Sequence, residues 1–278
     1  GARDFIDSLA ESGMSLWQIL PLVPTDDLGS PYSSWSTLSG NPDLVGLRGC
    51  VNAGLLDGLE ELSSGERVSY EFTRDRKRPQ VLEAAQALLD QPDHPWASEL
   101  ARFVERASWA TDAATFYAIK RAQSGAPWWE WPEALRRYEA PAVESFQREH
   151  VSDVAVWRAA LFLFEHQWGA VRRYAMARGV RLVGDMPIYV GRDSVDVWAN
   201  QGLFELDENG APRRVAGVRG EGWCARGRST HPEDERLGRL EPPLEEVHWV
   251  LSLALRRGRT LGLSRKCGRT RPSPRFFI

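Results

Sequence analysis

The chain has 278 residues, 42% of them hydrophobic, with 12 tryptophans and a formal net charge of −3. That length holds one large domain or two ordinary ones with ample material for a packed core. The charge excludes generic attraction to nucleic acid or to a membrane surface. No apolar run approaches the ~20 residues of a bilayer span; the longest, 247–255, runs directly into Arg256 and Arg257. There is no charged-then-apolar leader of the signal-peptide kind. Cys50, Cys224 and Cys267 share no short spacing, so neither a metal nor a disulfide framework is expected. These features predict a cytoplasmic protein. Because residue 1 is Gly rather than Met, an upstream piece is expected.

Charge is unevenly spread. Residues 219–278 hold 13 basic and 7 acidic side chains, whereas residues 1–218 hold 22 and 31. A reversal of this size marks a boundary.

Phe5, Ile6, Leu9 and Ala10 are spaced for one apolar helix face within 5–12, and Gly13 stops the helix. Residues 16–22, Leu-Trp-Gln-Ile-Leu-Pro-Leu, read as a buried parallel strand. A turn-rich loop follows over 26–42, with Tyr32 and Trp35 set among Ser, Gly and Pro. Helical spacing then covers 81–89, 97–106, 113–122 and 154–178, interrupted by the aromatic Pro-Trp-Trp-Glu-Trp-Pro turn at 127–132. Gly179 suits the C′ position of the long helix. Residues 180–190 read as a second buried strand. Asp193 and Ser194 are placed to cap a helix over 195–200, and 203–210 reads as a short hairpin. Helix, Gly, then buried strand is an α/β signal.

Three groups of residues are candidates for chemistry. Asp185 falls where the second apolar run gives way to Pro187. In parallel α/β folds, polar residues at the carboxyl ends of strands face the ligand crevice. Such a carboxylate accepts hydrogen bonds from sugar hydroxyls, or it simply caps the next turn. Ser30, Tyr32 and Trp35 combine hydroxyls with aromatic platforms, as carbohydrate sites do; alternatively, the aromatics pack onto the helical region. Trp128, Trp129 and Trp131 are a third aromatic group, and the flanking prolines favour a structural turn. Glu245 and His248 would share a helix face, but no second such pair exists to build a di-metal bundle.

Taken in order, these segments resemble one family. Residues 16–25 are similar to the amylomaltase strand L-W-Q-x-L-P-L-x-P-T, and Ser30-Pro31-Tyr32 through Gly40-Asn41-Pro42 resembles its S-P-Y-x-S-x-S-x-x-x-G-N-P loop. Phe116 to Leu135 resembles F-x-A-x-K followed by P-W-x-x-W-P. Gln167-Trp168, Gly184 to Val190, Asp193-Ser194, Val197-Trp198 and Val215 to Val218 follow in register. The resemblance is to 4-α-glucanotransferases of glycoside hydrolase family 77. It implies an α/β fold: an incomplete (β/α)8 TIM barrel with a mainly helical insertion subdomain. Residues 1–25 would be a barrel helix and strand, 26–178 the loop and insertion, and 179–218 a barrel strand with its following helix and hairpin. The first barrel strand is expected to precede Gly1.

The implied chemistry is retaining transfer of α-1,4-glucan segments between maltodextrins. It needs no metal or organic cofactor, and its partners are α-1,4-glucans rather than nucleic acid or membrane. Residue by residue, Ser30 and Tyr32 fall on family positions lining the glucan site, and Asp185 falls on the barrel-strand Asp near the donor subsite. The family's nucleophile motif R-x-D-H-F-R-G, its acid/base motif A-E-D-L-G and its H-D-N-D motif do not occur in these 278 residues. This predicts a family member lacking activity as this chain; the alternative is a non-catalytic α-glucan-binding fragment. An incomplete barrel also predicts low stability or aggregation. After Val218 the family's Pro-Pro-Asp-Tyr-Phe is replaced by Arg219-Gly220-Glu221-Gly222, and 219–278 is expected to be an out-of-frame tail of a GC-rich gene. Sequencing the coding DNA checks this: another frame after codon 218 should encode the three missing motifs, and their absence from every frame overturns it.

Overall fold

A computed structural model describes residues 1–26, 28–59, 69–185, 187 and 190–213. Helix α1 (Ala2–Glu11) turns Ile6 inward, as its apolar spacing requires. Gly13 follows at φ +73°, a conformation without steric cost only for glycine. Strand β1 (Leu16–Gln18) is shorter than the expected 16–22 and is not buried, since Leu16 is 52% exposed. Pro21 lacks an N–H and cannot extend a ladder, and among the described residues the sheet offers only one neighbouring strand.

The helical region follows as α2 (Leu47–Asn52), α3 (Arg78–Leu89), α4 (Ala97–Arg106), α5 (Ser108–Ala122), α6 (Ala140–Glu149) and α7 (Val151–Ala177). The spacing anticipates α4 to the residue and α3, α5 and α7 with shifted starts. It does not single out α6, whose signal is Pro141 in the first turn. The long α7 is the spine. Trp157 and Leu161 enter one core with Phe116, Trp128, Trp131 and Trp198. Ala160, Phe162 and Leu163 enter a second with Val81, Ala85 and Leu88 of α3. Ala175 joins a third with Ile6 and Val180. A helix serving three cores must be apolar around much of its circumference, which explains its weak amphipathic signal.

Gly179, at φ +74°, ends the α7 segment in the expected way. Strand β2 (Arg181–Val183) then pairs parallel with β1, with Leu16 opposite Arg181, Trp17 opposite Leu182 and Gln18 opposite Val183. Among the described residues of the expected buried strand over 180–190, only these three are strand, and Arg181 is exposed. Helix α8 (Val195–Ala199) starts where expected, with the Ser194 hydroxyl accepting from Val197 N–H at 3.2 Å. Asp193 does not cap it; its carboxylate pairs with Lys120. The expected hairpin is a tight turn rather than two strands: Leu206 and Pro212 form a single antiparallel bridge, and Asp207 accepts from the N–H groups of Asn209 and Ala211.

The tryptophan turn is structural. Trp128 and Trp131 are buried, and Trp128 Nε1 donates to the Arg192 carbonyl at 2.6 Å. Trp129 carries the Arg192 guanidinium 3.8 Å from its ring centroid. A Cβ at Gly210 would stand 2.4 Å from the Trp128 ring, so that glycine is required by close approach. Cys50 is buried, and loss of hydration pushes its thiol up to about 11. No helix among the described residues is long and apolar enough to cross a membrane. Residues 219–278, with Cys224, Cys267, Glu245 and His248, lie outside the described residues. Replacing Trp128 with Ala is expected to cost about 3–5 kcal/mol, measured by chemical unfolding; a cost under about 1 kcal/mol would contradict the packing described.

Candidate functional site

Both parallel strands end on the same side, so the loop after β1 and the segment after β2 share one crevice. Within the loop, the Asp26 carboxylate accepts from the N–H groups of Leu28 at 3.0 Å and Ser30 at 2.8 Å. This side-chain-closed turn gives the Asp-Gly-Ser-rich stretch a defined path. The half-buried Ser30 in turn accepts from Tyr32 N–H at 3.3 Å. Tyr32 is 46% exposed, and its hydroxyl donates to Asp185 Oδ2 at 2.6 Å across 153 residues of sequence. Of the residues singled out from the sequence, Tyr32 and Asp185 meet directly, and the Ser30 hydroxyl meets the backbone of Tyr32.

The rest of the loop is clamped. Thr37 donates to the buried Asp196 carboxylate twice, from N–H at 2.7 Å and from Oγ1 at 3.0 Å. Val195 N–H donates to the Trp35 carbonyl at 2.9 Å. Ser39 and Tyr117 share a hydrogen bond of 2.9 Å between hydroxyls. Two glycines let backbone and ring approach. A Cβ at Gly40 would overlap the Phe164 ring at 1.9 Å, and one at Gly191 would lie 2.9 Å from the Ser34 carbonyl oxygen.

Trp35 is half-buried and packs on the helical region. It lies against the first core, with Lys120 Nζ 5.0 Å and the Arg78 guanidinium 5.9 Å from its ring. It also lines a cavity of about 430 Å³ with Tyr117 and Trp157, to which neither Tyr32 nor Asp185 contributes. Asp196 and Thr37 drew no attention as sequence. Their roles depend on burial, and the only local trace is the alternation of Asp196 with Val195 and Val197 in a short helix.

The pair at the site has a definite electrostatic signature. The hydrogen bond to Asp185, then partial loss of hydration, raises the Tyr32 phenol above its ordinary value, because both favour the protonated form. In an ultraviolet titration Tyr32 should ionise later than a free tyrosine, and Asp185→Asn should bring it back down. A Tyr32 that titrates normally with Asp185 intact would contradict the contact. Among the described residues, no group of three or more His, Cys, Asp or Glu side chains is arranged to hold a metal ion.

Residues 1–227 match the family described as Glyco_hydro_77: 4-alpha-glucanotransferase. The match runs somewhat past Val218, where the motif-by-motif resemblance stops. The chain is 40% identical over 219 residues to the chloroplastic/amyloplastic 4-alpha-glucanotransferase DPE1 of Arabidopsis thaliana, covering 77% of this chain and 38% of that one. It is 40% identical over 218 residues to the 4-alpha-glucanotransferase of Thermus thermophilus, covering 78% and 44%. Among solved structures, the amylomaltase of Streptococcus agalactiae in complex with acarbose is similar with a TM-score of 0.74 and 32% identity, over 79% of this chain and 45% of that one. The chain thus spans less than half the length of these relatives. With a family match over most of its length, an α/β fold shared with a solved amylomaltase and the ordered motifs on that fold, the chain belongs to the 4-alpha-glucanotransferase family.

Proposed function

We propose that the crevice beyond β1 and β2 binds an α-1,4-glucan, and that the 278-residue chain binds it without transferring it. The observation carrying this reading is the Tyr32–Asp185 hydrogen bond of 2.6 Å at a half-exposed site. A phenol and a carboxylate held this way present an aromatic face and acceptor oxygens to the apolar and hydroxyl sides of a sugar ring. Ser30, on the turn that sets the approach of Tyr32, contributes a further hydroxyl.

The fold behind the site is read as an incomplete (β/α)8 barrel, with 1–25 and 179–218 as its strand-bearing parts and 26–178 as the helical insertion; of the expected foreign tail over 219–278, only 228–278 lies beyond the family match. Retaining transfer needs a nucleophile and an acid/base carboxylate ~5 Å apart. The motifs carrying them in the family are missing from this sequence. Asp185 is therefore assigned to binding rather than to covalent chemistry.

Titration calorimetry with maltoheptaose should give saturable binding that Tyr32→Ala weakens by at least about tenfold, the scale of one lost hydrogen bond to a charged group. Incubation with maltotriose should leave it unchanged, with neither glucose nor longer maltodextrins formed. Turnover of maltotriose would overturn the assignment of binding without transfer. Absence of maltoheptaose binding by the folded chain would overturn the site.

A further inference from the structure

A second concave site lies apart from the Tyr32–Asp185 pair. The cavity of about 430 Å³ that Trp35 lines has the volume of a small-molecule site. Two kinds of chemistry meet in its wall. Trp35, Tyr117 and Trp157 supply ring faces, and Arg74, Arg78, Lys120 and Arg121 supply positive charge. No acidic side chain is among its described lining residues. Arg78, Lys120 and Arg121 pair with Asp43, Asp193 and Asp153, all three outside that lining. The carboxylates thus hold the cations in place without bringing negative charge into the wall. Ring and charge adjoin, since the Trp35 ring lies 5.0 Å from Lys120 Nζ and 5.9 Å from the Arg78 guanidinium. Tyr117, Lys120 and Trp157 are buried, whereas Arg121 and Gly125 are exposed and mark the mouth. Trp157 Nε1 has no hydrogen-bond partner among the described residues, an unmet donor of a kind that native interiors rarely keep.

We infer that this cavity binds a small organic phosphate, a phosphate monoester carried on a ring. Clustered Arg and Lys side chains hold phosphate oxygens by charge-assisted hydrogen bonds, with Arg offering a planar fork of donors. A bare inorganic anion would leave the aromatic wall unused, and an uncharged sugar would leave the cations unused. A sugar ring lays its apolar face on an indole or phenol ring, and a nucleobase stacks on the same surfaces. The site differs in kind from the crevice at Tyr32, where the Asp185 carboxylate would repel the same anion. Neither Tyr32 nor Asp185 lines the cavity, so phosphate binding here is independent of the glucan reading of that crevice.

Titration calorimetry on the full 278-residue chain tests this, with glucose-6-phosphate and adenosine monophosphate as separate probes. At least one should bind saturably, and the tighter of the two names the ring. Glucose and inorganic phosphate should each bind at least about tenfold more weakly than that probe, because each engages only part of the wall. Arg74→Gln combined with Arg121→Gln should weaken the probe at least about tenfold, the scale of one lost charge-assisted hydrogen bond. Tyr32→Ala should leave probe binding unchanged. Circular dichroism of each variant against the parent tells loss of fold apart from loss of binding. Saturable binding of neither probe by the folded chain overturns the inference. So does inorganic phosphate binding as tightly as both probes, or an affinity that the double Gln substitution in a folded chain leaves intact. A chain that binds a probe but not maltoheptaose supports this site and overturns only the glucan reading.

Discussion

The Asp196 carboxylate is the tie on which the site depends. A 17-residue loop made largely of Ser, Gly, Pro and small polar residues has little apolar surface with which to hold itself in place. Asp196 supplies the missing constraint by accepting both the amide and the hydroxyl of Thr37 from a position 98% buried in α8. Away from water, such charge-assisted bonds are stronger than the same contacts at a surface, and leaving either donor unmet costs more than the bond itself contributes. The neighbouring bond from Val195 N–H to the Trp35 carbonyl fixes the loop at a second point on the same helix start. With the loop held there, Tyr32 reaches Asp185 across two segments that lie far apart in sequence.

The same helix start organises the aromatic core. Trp198 lies fully buried against Trp131, Tyr138 and Phe116, with Nε1 donating to the Leu135 carbonyl at 2.7 Å. Lys120, although a lysine, is almost wholly buried; it pairs with Asp193 and lies over the Trp35 and Phe116 rings. Buried lysines persist only when paired in this way. Asp193, Val195, Asp196 and Trp198 thus tie the β2 side of the molecule to the loop, the helical region and the tryptophan turn within six residues.

Much of this was legible in the sequence. The 3.6-residue spacing located the main helices, Gly179 marked the end of α7, and the ordered motifs brought Ser30, Tyr32 and Asp185 to one place. The strands were over-read for a physical reason. Leu16 to Leu22 and Val180 to Val190 have the apolar content of buried strands, but among the described residues the ladder pairs only Leu16–Gln18 with Arg181–Val183, and Leu16, Leu20 and Arg181 stay exposed. An apolar run states what a segment is suited to bury, not whether its partners are present. Trp35 shows the complementary case: its packing on Lys120, Arg78 and Tyr117 could not be read from composition. Asp196 escaped notice because a carboxylate in a short helix looks like a solvated one until its burial is known.

The placement of the loop that carries Tyr32 depends on the Asp196–Thr37 contact. Amide hydrogen exchange at Thr37 tests that contact most directly. The account predicts protection comparable to that of the buried α5 amides, lost in Asp196→Ala together with the upward displacement of the Tyr32 phenol. Fast exchange at Thr37 in the unaltered chain, or a Tyr32 titration indifferent to Asp196→Ala, would contradict it.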